Sequence, residues 1–243
     1  MATKKKNKKK LPQKSTPQAM SPRQYIQSGR ARTLEIAECL INEDWQERGM
    51  ATLVVARKHK TGNVTFGIYL IDTFCLGLKN TSCAFNRFED DYENFIEHTY
   101  AQHGSNQIEI DYDLAHNIVY GAVNYAANLG FKPQKDWADS QFILKPANSK
   151  EVEKMDIEFG KDGQPFFIAG PYDNSTRVIA QLEKTAGQGN YHYVAGLGSM
   201  GDFGDAFFSA HNEDDEDDLD DDDDFDGEND DEKTEDVDFE EVK

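Results

Sequence analysis

Charge is dealt out along this chain in blocks, and the blocks decide how much of it can fold. Residues 1–33 hold ten Lys and Arg and no acid, residues 211–243 hold 21 acids and two Lys, and the whole chain of 243 residues carries a net charge of −20. Like charges at that density repel, and neither block has the apolar residues needed to offset about 1–2 kcal/mol of backbone ordering per residue. Both ends are therefore expected to stay unfolded. Composition divides the chain into a basic arm at 1–20, one domain at 21–205 and an acidic tail at 206–243. The middle is long enough to bury a core of its own. Cys39, Cys75 and Cys83 are odd in number and share no paired spacing, which argues against a disulfide framework and for a reducing, cytoplasmic setting. The lysine-rich start has no apolar run after it, so it does not read as a signal peptide. No stretch approaches the ~18 apolar residues of a membrane span.

Within the middle, "ATLVVARKHKTGNVTFGIYLID" is the clearest element. Thr52 to Arg57 and Val64 to Ile71 are two β-rich runs around "HKTGN", whose Gly62 and Asn63 suit a turn. The second run is apolar almost throughout, which predicts a central strand covered on both faces. Ser21 to Glu47 reads as helix, opened by Ser21 and Pro22 and carried by Leu34, Ile36, Ala37, Leu40 and Ile41. "TFCLGLKNTSC" reads as loop or a short turn, and "RFEDDYENFIEHTYAQHG" as an amphipathic helix with Phe88, Tyr92, Phe95, Ile96 and Tyr100 on one side. Leu114, Ile118, Tyr125 and Leu129 repeat at helical spacing, with Asp113 as candidate cap and Gly130 as terminator. "SQFILKP" and "NYHYVAG" read as strands, "MDIEFGKDGQPFFIAGP" as a second hairpin and "DNSTRVIAQLEKTAG" as a short helix. Strands and helices are grouped rather than strictly alternating. The predicted class is α+β, a mixed or antiparallel sheet built from hairpins and packed with helices.

Several motif-like stretches point to chemistry. In "DDDDFDGENDDEK", Asp222, Asp224, Asp226 and Gly227 match the first ligands and the glycine of a calcium loop. Lys233 stands where the bidentate carboxylate is required, and the flanks lack the apolar period of a pairing helix. Diffuse cation binding is expected there rather than a cage. "GLGSMG", Gly196 to Gly201, has the glycine spacing of a dinucleotide loop but no room after it for a further βα unit. The six histidines show no zinc spacing. Asp72 ends the apolar strand, and Glu109, Asp111 and Asp113 alternate in "IEIDYD". If these four converged, they would form a carboxylate set for a metal-dependent nuclease or hydrolase. Lys4, Lys5, Lys6, Lys8, Lys9 and Lys10 are candidate polyanion-binding residues, because clustered lysines release counterions from a phosphate backbone. No aromatic interleaves with them, so base stacking is not expected.

On "VVARKHKTGNVTFGIYLIDTFCLGLKNT", "YDLAHNIVYGAVNYAANLGFKP" and "EFGKDGQPFFIAGP", the chain resembles a bacterial family to which no activity is attached. The likeness covers roughly residues 21–195, leaves both charged ends outside and carries no site residue across. It implies a bacterial cytosolic α+β domain.

The leading expectation is a non-enzymatic intracellular binding or regulatory protein without a cofactor. Its folded middle is a platform, its basic arm contacts nucleic acid or ribosome, and its acidic tail contacts a basic protein. The alternative is the metal-dependent enzyme built on Asp72 with Glu109, Asp111 or Asp113, and the two differ in whether those carboxylates converge in a cleft.

Overall fold

The structure, a computed structural model, describes residues 20–194. The basic arm, "GLGSMG" and the acidic tail with its calcium-like stretch lie outside them. In chain order the elements are α1 (Pro22–Gln27), β1 (Glu35–Asn42), α2 (Trp45–Arg48), β2 (Met50–Lys58), β3 (Val64–Asp72), β4 (Gly77–Arg87), α3 (Glu89–His103), β5 (Gln107–Glu109), α4 (Tyr112–Asn128), α5 (Trp137–Ser140), β6 (Phe166–Ile168), α6 (Ser175–Thr185) and β7 (His192–Val194). Five strands form one antiparallel sheet in the order β4-β3-β2-β1-β5, and β6 and β7 form a separate parallel pair. The fold is α+β.

The apolar hairpin sits at the centre of this sheet, as its sequence predicts. From Met50↔Asp72 to Lys58↔Val64, β2 and β3 pair without a register break. Successive side chains of a strand point to opposite faces, so β2 feeds two cores. Leu53 and Val55 pack under α4 with Cys39, Ile41, Tyr69 and Ile71. Val54 and Ala56 pack under α3 with Leu40, Phe66, Ile68, Tyr92 and Ile96. A smaller cluster of Cys75, Leu129, Phe167 and Leu182 joins α6 and the β6–β7 pair to the far end of the sheet.

On the α4 face the row Leu53, Val55 ends in Arg57, which is 1 % exposed. Its Nε donates to the carbonyl of Ile143 and one terminal nitrogen to that of Leu34, both at 2.8 Å. The guanidinium lies 5.2 Å from the ring centre of Tyr112. No carboxylate pairs with it among the described residues, and its other terminal nitrogen is buried without a partner. Arg32 holds the same segment from the other side, donating to the carbonyls of Leu144 and Gln141. Arg57 thus ties the chain before β1 and the chain after α5 to β2, and Arg32 ties those two segments to each other.

Four sequence expectations are corrected. Ser21–Glu47 is not one helix. The capping box forms, with Ser21 Oγ accepting from the Gln24 amide and Gln24 accepting from the Ser21 amide, but α1 stops at Gln27 and β1 follows. A register shift between Ile36 and Glu38 breaks the alternation of β1, so its apolar positions fall at spacings that mimic a helix. "TFCLGLKNTSC" is a short turn only over 73–76, and Gly77 onward forms the edge strand β4, which carries half-buried polar residues. "SQFILKP" is a short 3-10 turn at Gln141–Ile143 rather than a strand. The second hairpin reduces to its turn, a single Lys161↔Gln164 bridge, and β6 pairs instead with β7. Helices α3, α4 and α6 form as predicted, α6 with Asn174 accepting from the Arg177 amide. Asp111, not Asp113, takes the cap position of α4, and neither side chain bonds the helix's free amides there.

Gly77 admits the close approach of β4 to α4. Its φ is +68°, and a Cβ there would meet the Ala126 Cβ at 2.5 Å and the Ala122 carbonyl at 2.6 Å. Left-handed backbone and overpacking each contribute about 1–3 kcal/mol. Gly77→Ala is therefore expected to destabilise the fold by about 2–5 kcal/mol, measured as a lowered urea midpoint. A change under about 0.5 kcal/mol would contradict this packing.

Candidate functional site

The turn between β2 and β3 carries Lys58, His59 and Lys60, and Arg87 lies across from Val64 at the end of β4. Lys60 and Arg87 are exposed. Neither makes an ion pair among the described residues, whereas Lys58 bonds Glu89 at 2.6 Å. Helix α1 docks beside this turn. The Tyr25 ring lies 4.7 Å from that of Phe85 and 6.1 Å from that of His59, and His59 bonds Thr65 Oγ1 at 2.7 Å. Burial lowers the His59 pKa, so the ring is neutral near pH 7 and contributes contact rather than charge. Since α1 begins at Pro22, the arm with Lys4, Lys5, Lys6, Lys8, Lys9 and Lys10 precedes it at the end of the sheet that carries Lys58, Lys60 and Arg87, beside Glu35 and the acids Glu89, Asp90 and Asp91 of α3. Those six lysines themselves lie outside the described residues.

The four carboxylates do not meet. Asp72 ends β3 and Glu109 ends β5, with β2 and β1 between them, three strand spacings or roughly 14 Å. Glu109 is exposed. Asp111 caps α4, and Asp113 accepts from the Glu153 amide at 3.1 Å. Among the described residues no group of three or more His, Cys, Asp or Glu is arranged to hold a metal ion.

Asp72 is instead a buried cap. One carboxylate oxygen accepts from the amides of Phe74 and Cys75, each at 2.9 Å, and closes the turn into β4. Burial pushes its pKa up to about 6, while Lys79 and these amides pull the other way. Lys79 bonds Asp173 at 2.7 Å, and Asp173 also accepts from the Gly170 amide. Nothing local marks Lys79 and Asp173 as partners, because they are 94 residues apart and meet only where β4 passes under the loop before α6.

The remaining reactive groups are enclosed. Cys39 and Cys75 are buried and Cys83 half-buried. Burial pushes the thiols of Cys39 and Cys83 up to about 12 and raises that of Cys75 further, so at neutral pH none is a thiolate. His116 is buried under the start of α4. Its Nε2–H donates to the Lys145 carbonyl at 3.0 Å and its Nδ1 has no partner. A shallow cavity of about 320 Å³ lies between the end of α3 and β5, lined by Glu97, Tyr100, Ser105, Asn106 and Gln107 among others.

No protein-family model, no curated protein and no solved structure matches this chain. The resemblance to a bacterial family accordingly carries neither source nor activity forward. Among the described residues no helix is long and apolar enough to cross a membrane.

The position of Asp72 has a consequence in pH. Its folded pKa lies above the ordinary carboxylate value, so its protonated form is favoured by folding. That contribution is fully present below about pH 4 and is lost as pH rises through about 6. Asn keeps the acceptor oxygen but does not titrate. Asp72→Asn is expected to gain stability relative to the native chain between about pH 4 and pH 7, by on the order of 2–3 kcal/mol. Urea midpoints across that range read the difference, and a gap independent of pH would contradict the assignment.

Proposed function

We propose that this protein is a non-enzymatic binding protein that engages the phosphate backbone of nucleic acid through one cationic end. The observation that carries the reading is the docking of α1 on the β2–β3 turn. It attaches the lysine-rich arm beside Lys58, Lys60 and Arg87. In this reading the lysines of the arm supply most of the positive charge and Lys60 and Arg87 add to it, while the acids of α3, including Asp90, Asp91, Glu93 and Glu97, mark the flank that a polyanion avoids. Recognition here is electrostatic and independent of base sequence, since the lysines carry no aromatic partners for stacking. The separation of Asp72 from Glu109 withdraws the support that convergence would have given to metal-dependent hydrolysis. An intracellular, cytoplasmic setting suits the three unpaired cysteines and such a ligand.

The test is fluorescence anisotropy with a labelled DNA duplex and the full chain. Affinity is expected to fall linearly with the logarithm of salt, by about 0.9 per phosphate neutralised. Lys60→Glu combined with Arg87→Glu is expected to weaken binding at least roughly tenfold near 50 mM salt and to shallow the slope by about 2. Starting the chain at Met20 is expected to remove most of the remaining affinity. Equal binding by the native chain and both variants would overturn the proposal.

A further inference from the structure

We propose that residues 145–159 form a strap over α4 that lifts when His116 takes up a proton, so that the fold carries an acid-opened conformational switch. The inference stands apart from the nucleic-acid reading and uses none of its residues. After the 3-10 turn at Gln141–Ile143 the chain runs without helix or strand to β6. Both ends of this run are fastened. Arg57 and Arg32 hold the carbonyls of Ile143 and Leu144 at one end, and the Gly160 amide donates to the Thr73 carbonyl at 2.9 Å at the other. Between these ends, among the described residues, the one backbone–backbone bond is internal, from the Ser149 amide to the Pro146 carbonyl. The strap is held to α4 by side chains of that helix. The Lys145 amide donates to the Tyr112 hydroxyl at 2.8 Å, and the Lys145 carbonyl accepts from His116 Nε2 at 3.0 Å. The Glu153 amide donates to Asp113 Oδ2 at 3.1 Å, and the Glu153 carbonyl accepts from Asn117 at 2.7 Å. Phe159 stacks on Tyr125 at 5.6 Å between ring centres and lies over Gly121, where a Cβ would meet its ring at 2.6 Å. A segment with no ladder of its own opens more readily than the elements around it, so these few contacts decide whether the strap stays down.

His116 is the histidine among these anchors, the residue type whose charge changes near neutral pH, and it is 0 % exposed. A carbonyl only accepts, so Nε2 carries the proton of the neutral ring, and Nδ1 is buried with no hydrogen-bond partner among the described residues. Protonation would place a donor there without an acceptor, and a charge in the core beside the rings of Tyr112 and Tyr120, whose centres lie 6.0 and 4.6 Å away. Burial lowers the His116 pKa. The carbonyls of Lys145 and Pro146 and the Asp113 carboxylate oppose that shift, and Lys154 adds to it. The other charges around the ring are Arg57 of β2, over Tyr112, Arg32, near Tyr120, and Lys145, which is paired with Glu151. The closed strap therefore favours the neutral ring. Its hold is complete above the ordinary histidine value of about 6.5 and weakens as pH falls below that value, because a lifted strap lets the ring take its proton. Release uncovers the α4 flank that carries Tyr112, His116, Gly121 and Tyr125, while Arg57, Arg32 and Thr73 keep the two ends of the strap in place.

Amide hydrogen exchange on the full chain near pH 7.5 and near pH 5.5, corrected for intrinsic rates, reads the switch. Opening at the Lys145 and Glu153 amides is expected to rise about three- to tenfold at the lower pH, while the amides of α4 and of the β2–β3 ladder change less than about twofold. His116→Gln keeps a neutral side-chain N–H and does not titrate, so it is expected to flatten the pH dependence at both amides. Asp113→Asn keeps an acceptor for the Glu153 amide and is expected to leave the pH dependence in place. A measurement that needs no variant accompanies these. In the native chain the midpoint of the protection loss is expected to coincide with that of the His116 ring resonance followed by NMR. Constant protection in the native chain, or an equal loss across α4 and the β2–β3 ladder, would overturn the inference. So would a pH dependence that survives His116→Gln or vanishes in Asp113→Asn, and so would two separate midpoints.

Discussion

Arg57 is a cation sealed into a protein core, and among the described residues no carboxylate pairs with it. A guanidinium taken out of water needs its donors satisfied and its charge offset, or the penalty reaches several kcal/mol. Here uncharged groups offset the charge and take two of its three nitrogens, the other terminal nitrogen having no partner among the described residues. Backbone carbonyls of Leu34 and Ile143 accept from it, and the face of Tyr112 lies over it. The arrangement fixes more than one side chain. It ties the segment leading into β1, the turn after α5 and the first residue of α4 to the end of the central hairpin. Arg32 then fastens the same turn through Gln141 and Leu144. Both arginines use carbonyl groups that irregular segments would otherwise leave unpaired inside the fold. A hydrophobic residue of similar volume would avoid burying a charge, but it would leave those carbonyls orphaned.

This anchoring explains how two ends of one sheet come to differ chemically. At the Arg57 end, the segment it holds continues back into α1, and α1 lays Tyr25 on the β2–β3 turn. At the other end, Asp72 caps its own turn and Lys79 pairs with Asp173, so charge is consumed internally where the small β6–β7 sheet attaches. The cationic arm thus joins the end with unspent cations, and the acidic tail leaves from the end where charges are already paired.

The sequence made the centre of this fold legible and its periphery illegible, for physical reasons. The β2–β3 hairpin announced itself because both strands are covered on both faces, so apolar runs bracket the turn. Helix α4 was legible from Leu114, Ile118, Tyr125 and Leu129, since an amphipathic helix keeps a strict period. Strand β1 was hidden by its bulge at Ile36 and Glu38, which turns a period of two into something close to a helical one. Edge strand β4 was hidden by the polar, half-buried Lys79, Asn80 and Ser82, whereas β6 and β7 fall in stretches read as strands and only their parallel pairing was missed. Of the candidate site residues, Asp72 was correctly placed at a strand end, but its partners come from across the fold. Convergence of Glu109 with Asp72 was a matter of strand order, which spacing along the chain does not encode. Arg57 looked like one more cation in "VVARKHK", and nothing local marked it as the one that turns inward.

The buried guanidinium of Arg57 holds the β2–β3 turn end of the sheet together. Amide hydrogen exchange on the full chain beside Arg57→Met reads this, because exchange separates local opening from global unfolding. Protection is expected to be lost selectively at Leu34, Leu144 and Lys145, whose amides bond Ala31, Gln141 and the Tyr112 hydroxyl, while the β2–β3 ladder keeps its protection. Unchanged protection at those three amides, or an equal loss across β2, β3 and α4, would contradict it.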